Sequence, residues 1–286
     1  MSVRFLILEG NPRDVRESHR TGFGRTPGEA YGDILVRLAG GGGYDVVNAA
    51  DADAVLPPGM ALAGYDGVAI TGSSLHVWQG EPEAMRQVDL ARAVFSARVP
   101  FFGSCWGLQV AAVAAGGVVH RNPRGREIGF ARRITPNAAG AAHPLLAGRG
   151  ATFDAPCSHL DEVATLPPDA TILASNAVSP VQAAEIRHAG GTFWGVQYHP
   201  EYSLTQLGYL VGRRVANLVE EGFFADGAQQ SAFVADLAAL DADPTLRHPA
   251  WRYGLGPDVI DPVLRATELR NFIDARVKPH AIARAA

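Results

Sequence analysis

The stretch Val99-Pro100-Phe101-Phe102-Gly103-Ser104-Cys105-Trp106-Gly107-Leu108-Gln109 constrains this chain more than any other part of it. A short apolar run, read as a buried strand, ends at Gly103, and the Ala- and Val-rich segment from Leu108 to Ala115 has a helical composition. Between them lies Gly-x-Cys-x-Gly, the cysteine form of a nucleophile elbow, which lifts one side chain onto a tight strand-to-helix turn. Glycines two residues to either side let neighbouring elements pass close to a strained backbone. The helix that begins there aims free N–H groups and its positive dipole end at the sulfur, which favours thiolate over thiol. The N–H of Trp106 becomes a donor for an oxyanion. Taken alone, the five residues are also compatible with a small Cys buried in a Gly-rich turn.

A thiol nucleophile needs a base to take its proton and a third group to orient that base, and these partners are often distant in sequence. Thr192-Phe193-Trp194-Gly195-Val196-Gln197-Tyr198-His199-Pro200-Glu201 reads as a strand that delivers His199 at its end, with Glu201 two positions on. By itself His-Pro-Glu also fits a solvated turn.

Together the two stretches resemble the class I glutamine amidotransferases, over roughly Val3 to Gly222, and most nearly a stand-alone version of the glutaminase part of a GMP synthase. The resemblance implies a flavodoxin-like α/β fold with Cys105 as nucleophile, His199 as general base and then acid, and Glu201 as orienting carboxylate. Gln109, four residues past the nucleophile, falls where the family places a glutamine that contacts substrate. Thr71-Gly72-Ser73-Ser74 matches the oxyanion loop, with Gly72, Ser73 and Trp106 as donors; the family usually reads Gly-Gly-Pro there, so the donor stays open between neighbours. Ser158-His159-Leu160-Asp161 matches the substrate-holding loop, with Ser158 and His159 as contacts. The chemistry so implied uses no metal or organic cofactor, and its partner is a small molecule, glutamine or a γ-glutamyl compound.

The order of elements agrees with such a fold. Val3 to Leu8 is a first buried strand, and the polar segment from Arg13 to Pro27 reads as a long loop, either edging the site or merely mobile. Glu29 to Leu38 is a helix stopped by Gly40 to Gly43, Tyr44 to Asn48 a second strand, and Gly67 to Ile70 the strand feeding the oxyanion loop. Glu83 to Ala97 has helical periodicity and leads into the elbow. This alternation predicts a doubly wound, mostly parallel sheet with helices on both faces and sites at the carboxyl ends of its strands. From Glu127 to Val196 short β-rich segments alternate with turns, as in an antiparallel extension of that sheet. His76, past the oxyanion loop, reads as a surface residue without metal-ligand spacing.

Leu204 to Phe224 is read as a helix that packs on the sheet and closes a domain spanning 1–224. The remainder, 225–286, is read as a helical C-terminal extension, on the core or at a subunit interface, with helices over Gln229–Leu240 and Pro262–Val277 and with Trp251, Tyr253, Leu255 and Ile260 packing down. The five arginines from Arg121 to Arg133 form the strongest charge cluster, either a dock or a solvated hairpin face.

Composition narrows the functional classes. A formal net charge of −4 argues against a nucleic-acid surface, and no apolar run reaches membrane-spanning length. The polar residues Glu9, Asp14 and Glu17 do not fit a secretion signal. Two cysteines, Cys105 and Cys157, one of them at an elbow, suit a reducing cytoplasm better than a structural disulfide. Lys278 is the one lysine, so a Gly-Lys-Ser/Thr phosphate loop is excluded, and Ser-Gly-Gly-x-Asp-Ser is absent as well. No ATP-using half is visible. Three readings therefore stand side by side: a glutaminase feeding ammonia to a separate synthase subunit, a stand-alone γ-glutamyl peptide or amide hydrolase, and a non-catalytic binding or sensor module. An elbow-cysteine peptidase or redox chaperone would not be expected to carry the His-Pro-Glu ending.

Overall fold

The computed structural model describes residues 2–285. Strand β1 (Val3–Glu9) is buried at all but one position and pairs in parallel with β2 (Gly42–Asn48) and β3 (Gly67–Ile70). Helices α1 (Arg13–Phe23) and α2 (Pro27–Ala39) make the first crossover. A capping box starts α2: the Thr26 hydroxyl accepts from the Glu29 N–H while the Glu29 carboxylate accepts from the Thr26 N–H. Helix α3 (Pro82–Ala97) leads to β4 (Phe101–Ser104), parallel to β3, and α4 (Trp106–Ala114) follows the elbow.

The expected loop at Arg13–Pro27 is therefore mostly helix. Its buried residues are Arg16 and His19, so apolar periodicity gives no sign of it. Arg16 is held by the Asp51 carboxylate, and His19 and Phe23 lie against Tyr209 with ring centroids 5.2 and 5.9 Å away.

Beyond α4, β5 (Val118–Arg121) pairs with β8 (Asp161–Thr165) in a separate two-stranded ribbon. The main sheet continues through β6 (Glu127–Pro136), β7 (Phe153–His159), β9 (Ala170–Ser175), β10 (Ala183–His188) and β11 (Gly191–Val196). A short α5 (Ala138–Ala141) follows β6. The strand order is β2-β1-β3-β4-β11-β10-β9-β6-β7. The strands from β2 to β11 run parallel, and β10, β9, β6 and β7 form the antiparallel extension. This is the doubly wound, mostly parallel α/β sheet with covered faces that the alternation of elements predicts.

After β11 come α6 (Leu204–Gly212), α7 (Val215–Glu220) and α8 (Gly227–Ala242), followed by α9 (Arg247–Arg252), α10 (Pro257–Ile260), α11 (Pro262–Arg265) and α12 (Thr267–Phe272). A π turn at Ile273–Val277 leads into α13 (Lys278–Ala285). The single helices expected over 204–224 and 262–277 are thus broken. Arg214 leaves helical dihedrals at φ −117° and ψ 28°, and its guanidinium turns back onto the Leu210 carbonyl.

Three hydrophobic clusters hold these layers. One sheet face packs Val88, Phe95 and Trp106 against Val68 and Phe101. The other packs Tyr31 and Leu35 with Leu269, Phe272 and Val277, so the last helices cover the sheet beside α2; the Phe272 ring packs tilted against Phe102 at 5.3 Å. The third joins α6 and α8 through Leu204, Leu207, Leu237 and Leu240. Arg149 and Glu268, both buried, make a two-pronged ion pair at 2.8 and 2.7 Å, and Glu268 also accepts from the Tyr198 hydroxyl at 2.9 Å. The extension thereby grips the residue preceding His199. Trp251, expected to pack down, is 74% exposed because α9 turns Pro249 and Ala250 inward instead. Within the arginine cluster, Arg126 binds Glu221 and Arg132 binds Asp154 and the Tyr253 carbonyl, while Arg121, Arg124 and Arg133 are exposed. Among the described residues no helix is long and apolar enough to cross a membrane.

Candidate active site

Four parallel strand ends meet at one cavity of about 210 Å³, whose walls include Asn11, Gly72, Ser73, Cys105, Ser158 and His199. Cys105 stands at the elbow with φ 51° and ψ −102°, a left-handed conformation that a non-glycine residue adopts only under constraint. The constraint is visible: its N–H donates to the Val196 carbonyl at 2.7 Å, which ties the turn to β11. A Cβ on Gly103 would stand 2.8 Å from the Gly107 Cα, and one on Gly107 would stand 2.9 Å from the Ile70 carbonyl oxygen. Both glycines are therefore required for the crossing of β4, α4 and β3. Trp106, the first helical residue, has no carbonyl one turn earlier to receive its N–H.

His199 and Glu201 follow β11 in a tight bend. Nδ1 of His199 lies 2.6 Å from Oε1 of Glu201, and Oε2 of Glu201 accepts from the Ser104 hydroxyl at 2.8 Å. Ser104 in turn meets the Tyr31 hydroxyl at 2.9 Å. The Tyr202 ring stacks on the imidazole at 4.0 Å and 5°. Burial works hardest against a charge on His199, but the Glu201 carboxylate and hydrogen bonds to Cys105 and Glu201 outweigh it and hold the imidazole up to about 10. The Cys105 sulfur lies 3.7 Å from the Ser158 carbonyl oxygen.

The loop after β3 is braced from below. Asn11 donates to the Gly72 carbonyl at 3.1 Å and accepts from the Ser74 N–H at 3.1 Å, and the buried Glu9 carboxylate fixes the Asn11 side chain at 2.9 Å. The Ser73 hydroxyl donates to the Gly10 carbonyl at 2.8 Å. The Ser74 N–H is thus committed, while Gly72 and Ser73 line the cavity with it.

The residues named from the sequence fall into two groups. Cys105, His199, Gly72, Ser73 and Ser158 line one cavity, with Glu201 and Trp106 directly behind it. Gln109 and His159 do not line it. Gln109 donates to the Asp161 carbonyl and the Gln197 side chain, and His159 lies between Glu127 and the Asp161 carbonyl. His76 is not a free surface residue: its Nδ1 sits 2.6 Å from the Asp161 carboxylate, joining the β3 loop to the Ser158 loop. Cys157 is fully buried, and burial pushes its thiol well up.

Several side chains at the cavity or behind Glu201 were not foreseen. Ser104 and Tyr202 have a sequence signal, since they sit beside the nucleophile and three residues past the histidine. Tyr31, Asn11 and His19 have none. His19 is buried and lines the cavity, its Nδ1 lies 2.6 Å from the Arg25 carbonyl, and its Nε2 has no hydrogen-bond partner. Arg213 and Arg214 line the outer end. A larger cavity of about 580 Å³ between β6 and α8 is lined by Phe130, Phe224, Phe233 and Tyr253 and contains no nucleophile.

A side chain at a strained strand-to-helix turn, beside an imidazole held by a carboxylate, is the architecture of α/β enzymes that work through a covalent nucleophile. Residues 45–214 match the model of the class I glutamine amidotransferases. A γ-glutamyl-L-1-hydroxyisopropylamide hydrolase from a Pseudomonas species is 33% identical across 98% of this chain and 95% of its own length. A GMP synthase from Aeromonas hydrophila is 36% identical, over 46% of this chain and only 26% of that enzyme. Among solved structures, a glutamine amidotransferase from Thermotoga maritima shares the fold at a TM-score of 0.67 and 15% identity, across 97% of this chain and 99% of that one. The chain belongs to the class I glutamine amidotransferase family.

Proposed function

We propose that the protein hydrolyses the γ-amide of γ-glutamyl compounds through a thioester on Cys105. The observation that carries this reading is the strained Cys105 elbow sharing one cavity with His199, whose other ring nitrogen is fixed 2.6 Å from Glu201. The Cys105 sulfur forms a bond to the amide carbon, and the oxyanion is met by N–H groups at Gly72 or Ser73 and at Trp106, each such donor contributing about 2.7–4 kcal/mol. The C–N bond then breaks as His199 gives its proton to the departing nitrogen. Water adds to the thioester, its proton returns to His199, and the C–S bond breaks to release glutamate. Ser158 holds the glutamyl portion, with Gln109 and His159 shaping that loop from behind.

Likeness along nearly the whole length of a γ-glutamyl amide hydrolase favours substituted amides, whose amine simply diffuses away. The second reading is a glutaminase that passes ammonia to a separate synthase subunit, favoured by the likeness to one part of GMP synthase. Residues 1–224 carry the reacting groups in either case, and the extension 225–286 props α6 and the Tyr198–His199 segment. A reducing cytoplasm suits the reactive thiol.

The test is turnover of the purified chain on glutamine, γ-glutamyl alkylamides and γ-glutamyl peptides, with glutamate and amine both measured. Unaided release of glutamate that is lost in Cys105→Ala is expected. Turnover retained by that variant would refute the nucleophile. A glutamine-like electrophile is expected to label Cys105 and spare Cys157, and equal labelling would mean that Cys105 has no special activation.

A further inference from the structure

The wall of the cavity beyond His199 has a definite chemical character. His199 is the group positioned to protonate the departing nitrogen, so the departing amine lies on its side of the cavity. From there the chain passes through Tyr202 into α6, and Gln206, Leu210, Arg213 and Arg214 continue the same wall. At about 1.5 Å per helical residue this face runs about 10 Å outward from Gln206 to Arg213. It ends in two guanidinium groups.

Among the described residues, neither of these arginines has a carboxylate within ion-pairing distance. Arg213 donates to the Ser18 hydroxyl at 2.9 Å and lies over the Tyr209 ring. Arg214 donates to the Leu210 carbonyl at 3.0 Å. Glu221, in the same neighbourhood, is already bound through both oxygens by Arg126. Arg16, Arg126, Arg132, Arg149 and Arg252 each meet a carboxylate; half-buried Arg270 and Arg276 do not, but they are satisfied by the Val263 carbonyl and the Trp194 ring and do not line this cavity. Desolvating even a half-buried guanidinium such as that of Arg214 without a counter-ion is costly, and a chain of net charge −4 has carboxylates to spare for one. Half-buried Arg214 beside exposed Arg213 on the leaving-group wall fits a carboxylate brought by the substrate, because the guanidinium fork binds carboxylates bidentately.

We infer that Arg214, with Arg213, recognises a carboxylate on the departing amine, so that the substrate class is a γ-glutamyl peptide ending in a free acid. This rests on the γ-glutamyl hydrolase reading above and narrows it. It also sets this chain apart from its Pseudomonas relative, whose name gives a hydroxyisopropylamide, with no carboxylate on the departing amine.

The test compares matched substrates on the full chain: γ-glutamyl-glycine with γ-glutamyl-ethylamide, and γ-glutamyl-alanyl-glycine with its C-terminal amide. For at least one length the acid is expected to exceed its neutral partner in kcat/KM by about ten- to a hundredfold, the worth of a hydrogen bond between charged groups. In Arg214→Gln, and further in the double variant with Arg213→Gln, that ratio falls toward one. Wild-type ratios within threefold of one at both lengths, with every substrate cleaved, overturn the inference and leave the hydrolase reading standing. Glutamine is run alongside, and its cleavage alone overturns the inference and favours the glutaminase reading instead. An acid preference untouched by either variant removes the assignment to these arginines. No glutamate from any substrate removes the underlying reading itself.

Discussion

Replacing Gly72 by Ala tests how tightly the imidazole is held. Gly72 is outside the left-handed region, so alanine fits its backbone and the loop N–H groups are retained. The new Cβ, however, would lie 2.8 Å from Cε1 of His199, where an ordinary contact begins at 3.4 Å, a conflict of 0.6 Å. Neither side yields easily. The imidazole is stacked on Tyr202 at 4.0 Å and tied to Glu201 at 2.6 Å, while the loop is pinned by Asn11 and Ser73. Overpacking of this kind costs about 1–3 kcal/mol of stability, so the variant folds with a lowered melting temperature. The imbalance falls on the reacting geometry. Misplacement of a reacting group by about 1 Å costs about 10²-fold, or about 2.7 kcal/mol, so kcat falls by about that factor while KM changes little. Glutamate release under saturating γ-glutamyl substrate reads kcat, and the rate of Cys105 alkylation at neutral pH reads the thiol–imidazole contact. A folded Gly72→Ala variant turning over within threefold of wild type would refute the reasoning.

Ser104→Ala removes the donor to Oε2 of Glu201 and strips the buried Tyr31 hydroxyl of its partner; kcat is expected to fall about tenfold at nearly constant KM, measured by steady-state kinetics. The folded-state pKa of His199, raised to about 10, makes its contribution to stability fully present below about 6.5 and progressively lost as the pH rises toward 10. The gap in urea midpoint between wild type and His199→Gln should accordingly narrow from pH 6.5 to 9.5, and a widening gap would contradict the sign. Arg149→Met leaves the buried Glu268 carboxylate without its cation and is expected to cost about 3–5 kcal/mol in denaturant unfolding, although both residues lie away from the cavity.

The elements closest to the nucleophile were legible because local sequence determines them. A tight turn flanked by glycines, an apolar run on one side and a helix former on the other leave few alternatives, so β4, α4 and their junction follow from eleven consecutive residues. The same holds for β1, α2, β3 and α3, whose apolar spacing matches their period. Helix α1 fails this test for a physical reason, since its buried face is Arg16 and His19, made tolerable only by Asp51 and the Arg25 carbonyl. The break at Arg213–Arg214 and the exposed Trp251 belong to the same category, because a neighbour distant in sequence decides each.

From the sequence alone came the chemistry on offer: a thiol on an elbow, an imidazole and a carboxylate at a strand end, and no lysine-based phosphate loop. Residue types and short spacings are enough for that, because reactivity is a property of side chains and of the turn that bears them. Tertiary structure decided what surrounds the chemistry. It placed Ser104 and Tyr31 behind Glu201, turned Gln109 away from the cavity, drew α12 into the core and brought two arginines without counter-ions to the wall past His199. Those facts depend on contacts between residues far apart along the chain, and they are fixed only when burial and charge are balanced over the whole fold.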